Sequence, residues 1–146
     1  MVAGSVSLQI MTAMENLDQA LAFMDPQLDG RYVFASVDSI TPGLEPFATI
    51  HETEGLTLIV RADQAAQYGL DVSQPFARIT ARAQISLYSV GVTSTIASTI
   101  ASRGIPCNVV VGAHHGYFFV PVERGEEALA LLNDLATQAS GWLPEE

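Results

Sequence analysis

Ser89-Val90-Gly91-Val92-Thr93-Ser94-Thr95 is the segment of this chain best suited to holding a small ligand. It joins an expected strand to an expected helix. The first N–H groups of a helix are unpaired and point outward. The hydroxyls of Ser89, Thr93 and Ser94 stand beside them, and Gly91 lets the backbone approach a ligand closely. Such a site holds a carboxylate or another anion. Plain N-capping accounts for the same residues equally well, because Ser and Thr are preferred at helix starts. Both readings stay open at this stage.

Other reactive side chains are sparse. His114 and His115 fall on an expected hairpin turn, and His51 lies on a strand in the other half. Adjacent strand-end residues point in opposite directions, so one metal ion does not readily take both histidines. No metal site and no cofactor are expected. An ordinary pair of turn histidines, one of them facing a ligand cleft, fits better. Cys107, beside Asn108, is expected inside a strand as a buried apolar thiol, since a nucleophilic cysteine needs an electropositive, partly exposed setting. No G-x-S-x-G, G-x-G-x-x-G or G-x-x-x-x-G-K motif is present. No catalytic residue is assigned.

The charge distribution narrows the function classes. The chain has 146 residues, 49% of them hydrophobic, and a formal net charge of −10. Enough apolar surface is available for a compact fold. All 6 basic residues are arginine, which excludes a lysine Schiff base and a lysine-rich nucleic-acid face. Residues 1–74 hold ten acidic side chains against two arginines, and 75–146 hold six against four. No carboxylate side chain occurs from Val72 to Val122, a stretch that carries Arg78, Arg82 and Arg103. Local Asp or Glu is thus missing for acid–base work or hard-metal ligation. Either Arg78 or Arg82 could add positive charge to an anion site. Strong acidity disfavours nucleic acid and anionic membranes as partners. The N-terminus lacks a signal-peptide pattern, no apolar run is long enough to span a bilayer, and a single cysteine suits a reducing compartment. A cytoplasmic location is expected.

The elements that position these residues follow from periodicity and punctuation. A helix is expected from Thr12, with a Thr12/Glu15 capping box and apolar Met14, Leu17, Leu21 and Met24. A strand at Val6–Met11 would precede it. Strands are expected at Arg31–Val37, Phe47–Thr53 and Leu56–Val60, with a loop at Asp38–Pro46 and a short helix at Ala62–Tyr68 closed by Gly69. Phe76–Leu87 alternates partly and reads as one long strand or two short ones. A helix over Val92–Arg103, a hairpin of Pro106–Ala113 and Tyr117–Val122, and a helix over Gly125–Ala139 complete the chain. This order suggests an internal repeat of the β-α-β-β-α-β kind.

The sequence resembles the ACT-domain family, and within it a bacterial group of small tandem-ACT proteins. Glu54-Gly55-Leu56-Thr57-Leu58-Ile59, Gly104-Ile105-Pro106-Cys107-Asn108-Val109-Val110, Phe118-Phe119-Val120-Pro121 and Val90-Gly91-Val92-Thr93 carry the resemblance. The second half is also similar to the ACT-type module of the animal cytosolic arginine sensor. The resemblance implies an α+β fold of two ferredoxin-like (βαββαβ, ACT-type) units packed side by side, 1–74 and 75–146. It implies a non-enzymatic regulatory or sensor module that binds a small molecule, an amino acid by preference, and forms a homodimer. In such domains the loop after the first strand and the following helix start contact the ligand. That maps to Ser89, Val90, Gly91, Val92 and Thr93, with Asn108 on the neighbouring strand. The alternatives are a pairing module without ligand, favoured by a Leu87–Thr93 loop shorter than the family's usual form, and a small ferredoxin-like enzyme using His114, His115 or Cys107.

Overall fold

A computed structural model describes residues 16–144. The expected Thr12–Glu15 capping box and the Val6–Met11 strand lie outside the described residues. Asn16 caps the first described helix, α1 (Leu17–Ala22), by accepting a hydrogen bond from the Gln19 N–H at 3.0 Å. The chain then runs β1 (Pro26–Val37), β2 (Ala48–Glu52), β3 (Gly55–Arg61), α2 (Ala62–Gln67), β4 (Phe76–Ala81), α3 (Val92–Ala101), β5 (Asn108–Val111), β6 (Gly116–Pro121) and α4 (Gly125–Ser140). A single 3-10 turn, Val122–Arg124, leads into α4. The strands form one antiparallel sheet of 6 strands in the order β2-β3-β1-β4-β6-β5. No described helix is long and apolar enough to cross a membrane.

Two expectations change at the centre of this sheet. β1 is longer than the expected Arg31–Val37 because it continues through a bulge between Leu28 and Arg31. Gly30 sits there at φ 104°, a left-handed conformation that other residues adopt with strain. β4 is shorter than the expected Phe76–Leu87 and stops at Ala81, opposite Pro26. Pro26 opens β1 and has no N–H to extend the ladder. Beyond it, the Arg82 and Ala83 N–H groups donate to the Met24 carbonyl at 2.8 and 3.2 Å. Residues 82–91 therefore leave β4 and continue to α3 as a loop, with a single bridge residue at Ile85.

The two sheet faces are filled differently. One carries all four described helices. Ala77, Ile79, Ala81, Phe118 and Val120 pack there against α1, α3 and α4, whose inward residues include Leu21, Ile96, Ile100 and Leu132. Val33, Leu58 and Val60 pack against Ala65 of α2 and Leu44 on the same face. The other face is aromatic. Tyr32, Ile59 and Phe119 are buried on it, flanked by Phe34, Phe47, Phe76 and Tyr117. Phe47, next to edge strand β2, reaches Tyr117 on β6 with ring centroids 4.7 Å apart. Contact across that many strands requires the sheet to curl toward this face.

Arg78 stands in the middle of the curl. Its guanidinium lies 4.7 Å from the Tyr32 ring centroid, 4.8 Å from Phe47 and 5.1 Å from Tyr117. It donates twice to Asp29 at the bulge, at 2.8 and 3.0 Å. The Thr80 hydroxyl donates to the same carboxylate. Burial alone would lower the arginine pKa. The hydrogen bonds and charge of Asp29 outweigh it and leave the value raised. Asp29→Ala removes the partner of a side chain that is only 15% exposed. It is expected to cost about 1–3 kcal/mol of stability, read from urea unfolding, with Arg78→Ala in the Asp29→Ala background adding less than it does alone.

Candidate functional site

The early end of β4 opens a cavity of about 300 Å³ on the helix-bearing side of the sheet. Its floor is apolar: Ala81 of β4, Phe118 of β6 and Val92 and Ile96 of α3, all buried. Ile85 and Leu87 of the 82–91 loop and Val111 of β5 extend that lining. The polar lining consists of Ser86, Ser89, Thr93 and His115. Among the described residues, no Asp, Glu or Arg lines it. The volume suits one small metabolite and is too small for a dinucleotide.

The structure brings Ser89, Val92 and Thr93 to this wall. Gly91 supports it from behind as the N-cap of α3, at φ 88°. A Cβ there would meet only Leu17 side-chain atoms, 3.8 Å away, so the glycine answers a backbone requirement and not a crowded one. Val90 points out to solvent. Asn108 is exposed at the start of β5 and shares a sheet face with its partner Phe119, away from the cavity.

The helix start itself is informative. Among the described residues, no side chain caps α3. The Ser94 and Thr95 hydroxyls turn back and donate to the Gly91 carbonyl at 3.1 and 2.6 Å. Its first turn also lacks an acidic residue. Among the described residues, the positive end of the α3 dipole is thus left without a side-chain acceptor beside the cavity.

Arg78 and Arg82 do not reach the cavity. Arg78 lies on the opposite sheet face with Asp29, and Arg82 faces Asp25 at 3.9 Å. Both partners come from residues 1–74, so these two arginines neutralise the acidic half instead of charging the ligand loop. His114 contacts the Gln84 amide through Nδ1 at 3.1 Å. His115 lines the cavity, and its Nδ1 is buried with no hydrogen-bond partner among the described residues. Sequence reasoning missed Ala81, Ser86 and Ile96 as lining residues. The Val92/Ile96 helical spacing marked the inner face of α3. Reading 76–87 as strand hid the loop that Ser86 anchors, where its hydroxyl accepts from the Tyr88 N–H at 3.0 Å.

Cys107 lies just before β5, packed against the helix-side core. Burial pushes its thiol pKa up to about 11. Among the described residues, no three His, Cys, Asp or Glu side chains group so as to hold a metal ion.

A curled antiparallel sheet with helices on one face makes this an α+β protein of the ferredoxin-like kind, and the ACT domain family matches residues 12–77. A protein of unknown function from Vibrio cholerae, described as a possible transport protein, is 40% identical over 79% of this chain and 92% of that one, with a TM-score of 0.70. The chain belongs to the same family as that protein. An Agobacterium tumefaciens protein shares the fold at 17% identity, over 73% of this chain and 84% of its own, with a TM-score of 0.62. The ligand-free regulatory subunit of aspartate kinase from Thermus thermophilus does so at 13% identity, over 75% and 94%, with a TM-score of 0.55. No curated protein matches the chain.

The Cys107 thiol is expected to react with a disulfide reagent at pH 8 at least about tenfold more slowly than a free cysteine. Unfolding in urea should bring it to the free rate. Equal rates before and after unfolding would contradict a thiol held back by burial.

Proposed function

We propose that the chain is a non-enzymatic regulatory or sensor module of the ACT type that binds a small amino acid in the cavity beside α3. ACT domains commonly bind amino acids in regulation. The observation that carries the reading is the uncapped start of α3 opening beside a pocket of single-metabolite size. In this reading Ser89 and Thr93, with the first α3 amides, meet the carboxylate. Val92 supplies wall, Gly91 sets the backbone, and Val90 and Asn108 belong to the surrounding surface. Binding draws the 82–91 loop, α3 and the β5–β6 hairpin together, which is how a signal would leave the site.

The reading includes a tandem architecture. The match to residues 12–77 ends just inside β4. The order β2-β3-β1-β4 reads as one ferredoxin-like unit, 1–74, completed by the start of β4. The order β1-β4-β6-β5 reads as a second, 75–146, completed by Pro26–Leu28 of β1. Each unit would then borrow its fourth strand from the other, and the first has a loop over 38–47 where the second has α3. Similarity of the second unit to the arginine-sensor module belongs to the same reading. So do a homodimer, formed through an open edge at β2 or β5, and a cytoplasmic location.

A second reading, a pairing module without ligand, draws on the cavity mouth. Leu87, Tyr88 and Val90 stand 55%, 84% and 84% exposed there, a surface suited to another chain.

Burying one apolar side chain contributes about 2 kcal/mol, and charge-assisted hydrogen bonds about 1.5–3 kcal/mol each. Affinities between about 10 μM and 1 mM follow. Calorimetry with the twenty amino acids is expected to find binding in that range. Thr93→Glu puts a carboxylate at the exposed helix start, where it complements the α3 dipole and leaves the fold intact. It should weaken the bound amino acid about tenfold or more. Silence from all twenty at millimolar concentration would remove this reading and leave the pairing module.

A further inference from the structure

We propose that two copies of this chain pair at the cavity mouth, each placing its Tyr88 ring in the cavity of the other. The proposal rests on the mouth being a pairing surface, the ground of the second reading above, and it holds with or without a ligand. Three observations carry it.

The first is how Tyr88 is presented. It stands between Leu87 and Ser89, which line the cavity, yet Tyr88 itself is 84% exposed. The turn beneath it is fixed. The Tyr88 N–H donates to the Ser86 hydroxyl at 3.0 Å, and the Ser89 N–H donates to the Ser86 carbonyl at 3.0 Å. An aromatic side chain on a fixed turn loses little conformational entropy on docking, and tyrosine is a frequent anchor where proteins meet.

The second is the fit between anchor and pocket. The cavity measures about 300 Å³, with Ile96 and Phe118 in its floor. A dry pocket of roughly 150 Å³ already takes a benzene-sized ring. A phenol ring therefore enters with room for its hydroxyl, which meets Ser89 and Thr93 at the polar wall. Tyr88 and the mouth share one surface, so a twofold axis between two copies brings each ring to the other's cavity at once. That arrangement closes as a dimer. Anchor and pocket on opposite surfaces would build an open chain instead.

The third is charge. Two copies of a chain with a net charge of −10 repel one another. Residues 83–102 contain no charged side chain, and they supply both the loop at the mouth and α3. Exposed Leu87, Tyr88 and Val90 uncover on the order of 400 Å² there, a size that marks interaction sites. Exposed Thr93, Ser94 and Ser98 of α3 continue this uncharged surface toward the roughly 800 Å² per partner of a stable pair. Edge strand β2, by contrast, ends in Glu52, with Glu54 two residues on. A metabolite in the cavity and the partner's ring exclude one another, so a ligand that fills the site releases the pair.

Analytical ultracentrifugation of the full chain from about 1 to 500 μM is expected to show a monomer–dimer equilibrium. Tyr88→Ala should weaken the dimer at least about thirtyfold, since each pair loses two anchors, and Tyr88→Phe less than about fivefold. Thr93→Trp fills the mouth from its own chain and should weaken the dimer as Tyr88→Ala does. A mixture of Tyr88→Ala and Thr93→Trp sets one ring before one open cavity, so it should pair at least about fivefold more tightly than either variant alone. Circular dichroism checks that each variant folds. Any amino acid that calorimetry finds to bind should shift the balance toward monomer. Monomer at every concentration, no gain on mixing, a dimer indifferent to Tyr88→Ala, or a bound amino acid that leaves the dimer intact overturns the proposal. A dimer indifferent also to a Leu87→Ser/Val90→Ser double variant overturns the mouth as a pairing surface and moves pairing to a sheet edge.

Discussion

The sheet is organised around one charge. Arg78 projects from a central strand onto the face without helices, among the rings of Tyr32, Phe47 and Tyr117. A guanidinium in such a setting needs a carboxylate and flat apolar surfaces, and both are supplied by elements far away in sequence. Asp29 lies 49 residues earlier, and the Gly30 bulge in β1 places it opposite Arg78. Phe47 comes from the approach to the edge strand β2. Satisfying one charge thus fixes where β1 bends, how far the sheet curls and which residues close its second face.

The same strand pair creates the cavity. β1 and β4 run antiparallel, so the beginning of one sets the end of the other. Pro26 begins β1, and β4 therefore stops at Ala81. The chain beyond Ala81 is tied to Met24 and Asp25 through backbone hydrogen bonds and then runs outside the six-stranded ladder, with a bridge residue at Ile85. It crosses to α3 as a loop, and space remains between that loop, the helix and the β5–β6 hairpin. A strand extending to Leu87, as alternation alone suggests, would have filled this volume with paired backbone.

Local signals were legible in the sequence and long-range ones were not. The Val92, Ile96, Ile100 spacing and Gly104 marked α3, and the acidic first turn with its apolar stripe marked α4, because a helix depends on near neighbours. The hairpin around His114-His115-Gly116 and the C-terminal glycine after α2 followed from turn chemistry. The bulge at Gly30 read as a break, since a glycine after Pro26 gives no sign that pairing resumes beyond it. At the site, Ser89, Val92 and Thr93 were visible as a strand-to-helix junction. The floor was not, because Ala81, Ile96 and Phe118 meet only through the tertiary arrangement.

The charge arithmetic also changes meaning once the fold is known. A stretch from Val72 to Val122 with arginines and no carboxylate side chain suggested cations awaiting an anionic ligand. Arg78 and Arg82 instead answer Asp29 and Asp25, so the excess acid of the first half is partly neutralised by pairing across the sheet. What the stretch leaves at the cavity is an uncharged wall. In the proposed reading, recognition of an ion there falls to weaker and more directional groups: helix-start amides and the hydroxyls of Ser89 and Thr93. Such groups discriminate by geometry more than by net attraction, and neutral surroundings strengthen each of them. In that reading a lining whose described residues include no Asp, Glu or Arg is a condition for selective binding.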